Sequence, residues 1–312
     1  MDDLHQLARF DDRLSYLYLE HARVEQADKA IAVHDEGGVT DVPVAGLALL
    51  MLGPGTTVTH AAVRALADNN CLIAWVGEAG VRLYAHSTGG TRRAAGIIRQ
   101  AALVSNEATR LAVVKRMYLA RFAAPLDPSL SLQQIRGMEG IRVREAYAAA
   151  SRASGVAWQG RNYDRGSWAN ADPVNRALST ANACLYGLVH AAIVSAGYSA
   201  ALGFIHTGKQ LSFVYDIADL YKVEFTIPVA FEVAASGRGP LERETRLACR
   251  DRFRSGRLLE RILPDIASLL DVDPAGEDAG PVDEDQALPG RLWDPEHPDG
   301  LEGGQNYGAA DA

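Results

Sequence analysis

The stretch from Pro173 to Ala196 constrains the fold more than any other part of the chain. It is alanine-rich, apolar on most sides, and opens on a proline suited to a first helical turn. A helix that is hydrophobic all round has to be enclosed by other elements, so this segment belongs at the centre of its domain. No run reaches the ~18 uninterrupted apolar residues of a membrane span, and no membrane-spanning helix is expected.

The flanking sequence has two characters. Before residue 87 it is β-rich. Short runs at 13–20, 29–34, 39–44, 71–76 and 81–85 are separated by glycine-containing turns such as Asp35-Glu36-Gly37-Gly38. Leu47 to Leu52 is a continuous apolar run ended by Gly53-Pro54-Gly55, and Thr57 or Thr59 caps a short helix through Ala67. Residues 87–92 read as a linker. Beyond them Ile97, Ala101, Val104, Ala108, Leu111 and Leu119 keep helical spacing, closed by Pro125 and Pro128. Further helices are predicted at 130–153, 173–196, 213–222, 241–255 and 257–270. The expected fold class is α+β, two domains: a small β-rich domain over 1–86, then a larger all-α domain over 93–270. The proline-containing, acidic stretch 271–312 has little apolar content and is expected to be disordered.

Net charge is -8, but it is unevenly spread. Residues 271–312 hold twelve acidic residues and one base, Arg291, so the body carries 30 basic against 27 acidic residues. A mildly basic body with an acidic tail is compatible with nucleic-acid handling. Cys71, Cys184 and Cys249 are far apart and form no CxxC pair, which argues against a disulfide framework or a zinc-thiolate site. The acidic N-terminus lacks the order of a signal peptide, and a cytoplasmic location is expected.

Residues 203–222 carry the chemistry and admit two readings. Gly203-x4-Gly208-Lys209 fits a phosphate-binding loop, but Gln210 stands where a magnesium-binding Ser or Thr belongs, and a helical stretch rather than a strand precedes it. The other reading is a divalent-metal site. Asp216 and Asp219 lie three apart, on one helix face, with His206 upstream between two glycines. Carboxylates with an imidazole and no thiolate suit magnesium or manganese. Asp216 as a helix-start residue and His206 as a turn residue is the alternative without chemistry. A third acid, Glu139, sits among Arg136, Arg142 and Arg144, with Gly137 and Gly140 close by. Glycines in a helical region cost ~1 kcal/mol each, which suggests close backbone approach or function. Arginines there suit phosphate contacts, although a solvated ion-paired surface gives the same pattern.

Four blocks, Arg136-Gly137-Met138-Glu139-Gly140, Cys184-Leu185-Tyr186-Gly187, Gly203 to Gly208 and Phe213 to Asp219, resemble in order and spacing those of the CRISPR-associated integrase family. Val76 to Arg82 and Arg246 to Asp251 resemble its subtype I-E branch. The resemblance spans roughly residues 10–270, and it implies a β-sandwich-like N-terminal domain and an α-helical catalytic domain. It implies metal ligands Glu139, His206 and Asp219, with Asp216 an acidic neighbour in the same catalytic site, and Mg2+ or Mn2+ as the ion. It implies attack of a prespacer 3′-hydroxyl on a phosphodiester of the CRISPR repeat, a homodimer, and two such dimers flanking a small ferredoxin-like partner dimer in a heterohexamer. Arg82, Lys222, Arg243 and Arg246 lie in matching blocks as DNA-phosphate contacts. Arg136 and Arg142 join them from the residue reading. Tyr163, Trp168 and Tyr186 are candidates to pack on the DNA end, or core aromatics. Val39 and Thr57 stand where relatives place basic residues, and the tail matches only in being variable. It is read as docking on the partner by strand addition or as repelling non-specific DNA. The alternative functions are a non-catalytic DNA-end-binding subunit of the same complex and a nucleotide phosphotransferase.

Overall fold

The computed structural model describes residues 16–77, 83–87, 94–127, 129–161, 172–271 and 292–301. Arg82, Tyr163 and Trp168 lie outside them, as do most of the 87–92 linker and most of the tail. The chain divides into two units, Met1–Pro274 and Ala275–Ala312.

The first unit opens with strands β1 (Leu17–Leu19), β2 (Arg23–Ala27), β3 (Ala30–Asp35), β4 (Gly38–Pro43), β5 (Leu49–Leu52) and β6 (Thr57–Val58). Helix α1 (His60–Asp68) follows, then β7 (Leu72–Val76) and β8 (Leu83–His86). The Thr59 hydroxyl caps α1 by accepting from the Ala62 N–H. The strands make two four-stranded sheets, ordered β4-β3-β2-β6 and β1-β5-β7-β8. In the second, β5 pairs in parallel with β1 and β7, and β8 runs antiparallel to β7.

The run Leu47–Leu52 shows no alternation because both faces of its sheet are buried. Leu50, Leu52 and Ile73 face Val24, Ile31 and Val33 of the other sheet, with Leu66 of α1 closing that core. Leu49, Met51, Leu72 and Ala74 point the other way, into the core of the helical region. The β-rich and helical regions are therefore joined by a common core.

The helical region comprises α2 (Ala95–Ser105), α3 (Glu107–Leu119), α4 (Leu132–Ser154), α5 (Pro173–Ser195), α6 (Ser212–Ala218), α7 (Thr226–Ser236), α8 (Leu241–Ser255) and α9 (Leu258–Leu270). The apolar segment is α5, and it is central as predicted, packed by α6, α7, α8, α9 and strands β5 and β7. By length and composition α5 could cross a membrane, yet most of it is buried inside this fold. Gly187 lets α5 approach β5, since a Cβ there would lie 2.9 Å from a Leu49 methyl. The three cysteines are buried and free. The period read through 97–119 is two helices, because the Asn106 side chain accepts from the N–H groups of Ala108 and Thr109 and starts a new one. In the second unit β9 (Leu292–Asp294) and β10 (His297–Leu301) pair antiparallel, so part of the tail read as disordered is a hairpin.

One polar group in the sheet–helix core is poorly matched to its surroundings. His190 of α5 is buried edge-on against the His86 ring at 4.3 Å, and its Nε2 has no hydrogen-bond partner among the described residues. Burial first, and the neighbouring His86 second, push its pKa down to about 4. An unfolded histidine takes a proton near pH 6.5, so below that pH the unfolded chain binds more protons than the folded one. Stability then falls as pH drops from 6.5 towards 4. Urea denaturation at pH 7 and pH 5 should show a loss of about 2 kcal/mol from this residue, and His190→Leu should remove that share of the loss. An unchanged pH dependence in His190→Leu contradicts the assignment.

Candidate active site

The loop between α5 and α6 is built around one buried carboxylate. Asp216 of α6 has no exposed surface. Its Oδ2 accepts the N–H groups of Phe204 at 2.6 Å and Ile205 at 3.1 Å. Its Oδ1 accepts the N–H of His206 at 2.8 Å and the ring Nδ1 of His206 at 2.7 Å. A buried ionised carboxylate is tolerated only when saturated in this way. Gly203 is required, because a Cβ there would collide with the His206 carbonyl oxygen and with Ser212. From outside, Arg110 of α3 donates twice to the Phe204 carbonyl, at 2.9 and 3.2 Å. Buried Gln100 of α2 donates to the carbonyls of Ser199 and Leu202 and accepts from the Ser199 N–H.

Asp216 can only accept, so Nδ1 of His206 carries the proton and Nε2 is left with its lone pair outward. The Asp216 hydrogen bond raises the His206 pKa, partly opposed by burial and reinforced by the charge of Asp219.

His206 opens onto a cleft of about 490 Å³ lined also by Tyr118, Arg121, Arg136, Glu139, Arg142, Tyr147, Asp219 and Lys222. Glu139 of α4 is 8% exposed. Arg142, one turn on, grips it with two hydrogen bonds at 2.7 and 3.0 Å. Asp219 follows α6, with one oxygen 2.6 Å from the Lys222 ammonium and the other 4.0 Å from Nε2 of His206. Burial disfavours the Lys222 ammonium, but Asp219 and the Tyr186 side chain outweigh it and hold its pKa up. Arg121, just past α3, reaches both acids, with Nη1 3.3 Å from Glu139 and Nη2 3.7 Å from Asp219.

The structure thus gathers Glu139, His206, Asp219, Arg136, Arg142 and Lys222 at one cleft, with Tyr186 behind Lys222. Asp216, expected as an acidic neighbour in the same site, lies beneath the cleft and contacts it through the His206 ring, with both its oxygens engaged by residues 204–206. The phosphate-loop reading fails on the same contacts: the N–H groups of 204–206 serve Asp216 and cannot cradle a phosphate. Arg243 and Arg246 lie elsewhere, in a second cleft of about 310 Å³ between β1 and α8 with Tyr16, Tyr18 and Arg250. The Arg246 guanidinium sits 4.0 Å over the Tyr18 ring. Gln100, Arg110 and Arg121 were not singled out from the sequence. Their partners lie up to about a hundred residues away, and no local spacing marks them.

The donor set is chemically suited to a hard divalent ion. Among the described residues, no three acidic, imidazole or thiol side chains converge tightly enough to hold one, because Arg121, Arg142 and Lys222 draw the carboxylates to themselves. A carboxylate-oriented histidine thus faces two acids inside a ring of cations, on a helical region packed against a two-sheet β region.

The chain belongs to the family described as CRISPR associated protein Cas1, whose model matches residues 15–124 and 118–239. It is 54% identical over 309 residues to CRISPR-associated endonuclease Cas1 2 of Thermus thermophilus, covering 99% of this chain and 94% of that one. It is 46% identical to CRISPR-associated endonuclease Cas1 of Escherichia coli, covering 89% and 90%. The crystal structure of a TtCas1–DNA complex superposes with a TM-score of 0.80 at 53% identity, covering 94% of this chain and 100% of that one. A casposase bound to its integration product shares the fold at 14% identity, with a TM-score of 0.64.

Asp216→Asn puts an amide NH2 among groups that themselves donate. It should cost about 2–4 kcal/mol in chemical denaturation. A loss below about 1 kcal/mol would mean that the carboxylate does not organise the loop.

Proposed function

We propose that the protein is a divalent-metal-dependent DNA endonuclease and integrase of CRISPR spacer acquisition, which joins a prespacer 3′-hydroxyl to a phosphodiester of the CRISPR repeat. The observation that carries this reading is the Nε2 of His206, freed by Asp216 and turned toward Asp219 across a cleft shared with Glu139. Glu139, His206 and Asp219 are the residues that would hold Mg2+ or Mn2+. The chemistry such an ion supplies is activation of the attacking hydroxyl and neutralisation of charge on the transferring phosphoryl group.

The chain's own residues do the rest. Asp216 fixes the His206 ring in one tautomer and one orientation. Arg136, Arg142 and Lys222 line the cleft at the places where backbone phosphates of the two DNA substrates would lie. Tyr186 supports Lys222 from behind. Arg243 and Arg246 are assigned to DNA further along its path, together with Arg82, Tyr163 and Trp168. The naming of two relatives as endonucleases and the solved DNA complex of a homologue support the substrate class. For assembly we propose a homodimer, supported by the exposed outer strand β8 of its sheet. Two dimers would then flank a small ferredoxin-like partner in a heterohexamer, at work in the cytoplasm.

The test supplies a 3′-hydroxyl DNA fragment, a supercoiled repeat-bearing plasmid, manganese and the ferredoxin-like partner. Joined product is expected with the wild type and lost on adding EDTA. His206→Ala and Glu139→Gln should lower joining at least about 100-fold while leaving DNA affinity within about threefold. Joining that survives in both variants refutes the assigned centre. A wild type that binds DNA but never joins it favours the non-catalytic end-binding subunit.

A further inference from the structure

Arg121 is the one basic residue among those described that touches both carboxylates of the site. Its side chain is only 5% exposed, more deeply buried than either acid it serves. Its setting differs from that of its neighbours. Arg142 meets Glu139 with two well-formed hydrogen bonds, and Lys222 lies against the outer oxygen of Asp219. Arg121 makes one long hydrogen bond to Glu139 and stands 3.7 Å from Asp219, while its Nε and Nη2 have no hydrogen-bond partner among the described residues. The Tyr118 ring lies beneath its guanidinium at 4.9 Å. A buried arginine serving only as scaffold would be expected to place its five N–H donors. This one leaves several unused, so the charges of the two acids and the face of a tyrosine are what hold it.

Its position is equally particular. Arg121 spans the inner oxygens of Glu139 and Asp219, and Nε2 of His206 approaches the same Asp219 oxygen. The guanidinium therefore occupies ground that a cation bound by these three side chains would need. Arg142 and Lys222 already give two positive charges against the two acids, so Arg121 and a divalent ion beside it would leave the cleft strongly over-charged. One of them has to withdraw. Arg142 shares a helix with Glu139 and neutralises it from the open side, whereas Arg121 stands between the acids.

We propose that Arg121 is the resident counter-cation of this site, a positioning residue that holds Glu139 and Asp219 together before the ion arrives and is displaced by it. Arg121 thereby sets the metal concentration at which the site fills. The proposal rests on the reading of Glu139, His206 and Asp219 as the metal-binding set. On this account a metal-free chain keeps its acids close without mutual repulsion, and part of the binding energy of the ion goes into moving the guanidinium.

The experiment is titration of the full-length protein with Mn2+, free ion being read by electron paramagnetic resonance, with melting temperature recorded over the same series. Wild type, Arg121→Gln and Glu139→Gln are compared. Arg121→Gln should bind Mn2+ about tenfold more tightly than wild type. It should also melt lower in EDTA and gain more from Mn2+ than wild type does. Glu139→Gln should bind Mn2+ more weakly. Unchanged or weaker binding by Arg121→Gln, with Glu139→Gln still impaired, overturns the role of Arg121 and leaves the metal site standing. Binding that Glu139→Gln does not weaken removes the metal site and this proposal together. Should Arg121→Gln not fold without metal, wild-type protein labelled with 15N-arginine answers the same question. One arginine Nε–H signal should shift on adding Mg2+, and its failure to move would overturn the displacement.

Discussion

A single carboxylate with no contact to solvent organises this protein's chemistry. Asp216 enters the core charged, which is unfavourable unless every lone pair is answered. The answer comes from three successive backbone N–H groups and one imidazole, all from residues 204–206. Because those donors are consecutive, satisfying the carboxylate also dictates the path of the loop, and with it the direction in which His206 faces. The half-buried imidazole is thus aimed by a group that itself has no exposed surface. Gln100 and Arg110 secure the same loop by its carbonyls, so both kinds of backbone polar group there are engaged.

The surroundings explain why this can be done accurately. The loop is anchored between α5, which is packed by four helices and two strands, and α6, whose Phe213, Val214 and Ile217 are fully buried. Sheet β1-β5-β7-β8 packs against α5 through residues that alternate with those facing the other sheet. The catalytic candidates therefore stand on elements held from several sides, which suits a centre in which small displacements are costly.

Much of this was legible in the sequence, for identifiable reasons. A helix apolar on most sides but interrupted by polar residues belongs inside a fold, and α5 lies there. The run Leu47–Leu52 was readable as an apolar strand, although its burial on both faces could be known only once two cores were seen. The spacing of Asp216 and Asp219 placed both acids on one short helix, yet it could not show that one points inward and the other toward the cleft. Strands β2 and β6 escaped notice because they are short and polar at most positions. Helix α7 did too, since Pro228 in its first turn reads as an interruption although that position needs no N–H donor. Arg121 illustrates the deeper limit. Its meaning lies in contacts with residues 18 and 98 positions away, and nothing adjacent to it in sequence distinguishes it from other arginines.

The balance of charge in the cleft is the other organising constraint. Two acids are met by Arg121, Arg142 and Lys222, and this basic surplus suits an anionic polymer as substrate. If Glu139, His206 and Asp219 bind one divalent ion together, anomalous diffraction from crystals grown with Mn2+ should show one strong peak about 2.0–2.3 Å from a Glu139 oxygen, Nε2 of His206 and an Asp219 oxygen. A peak elsewhere on the protein, or none at this cleft with Mn2+ at saturating concentration, would contradict their joint binding.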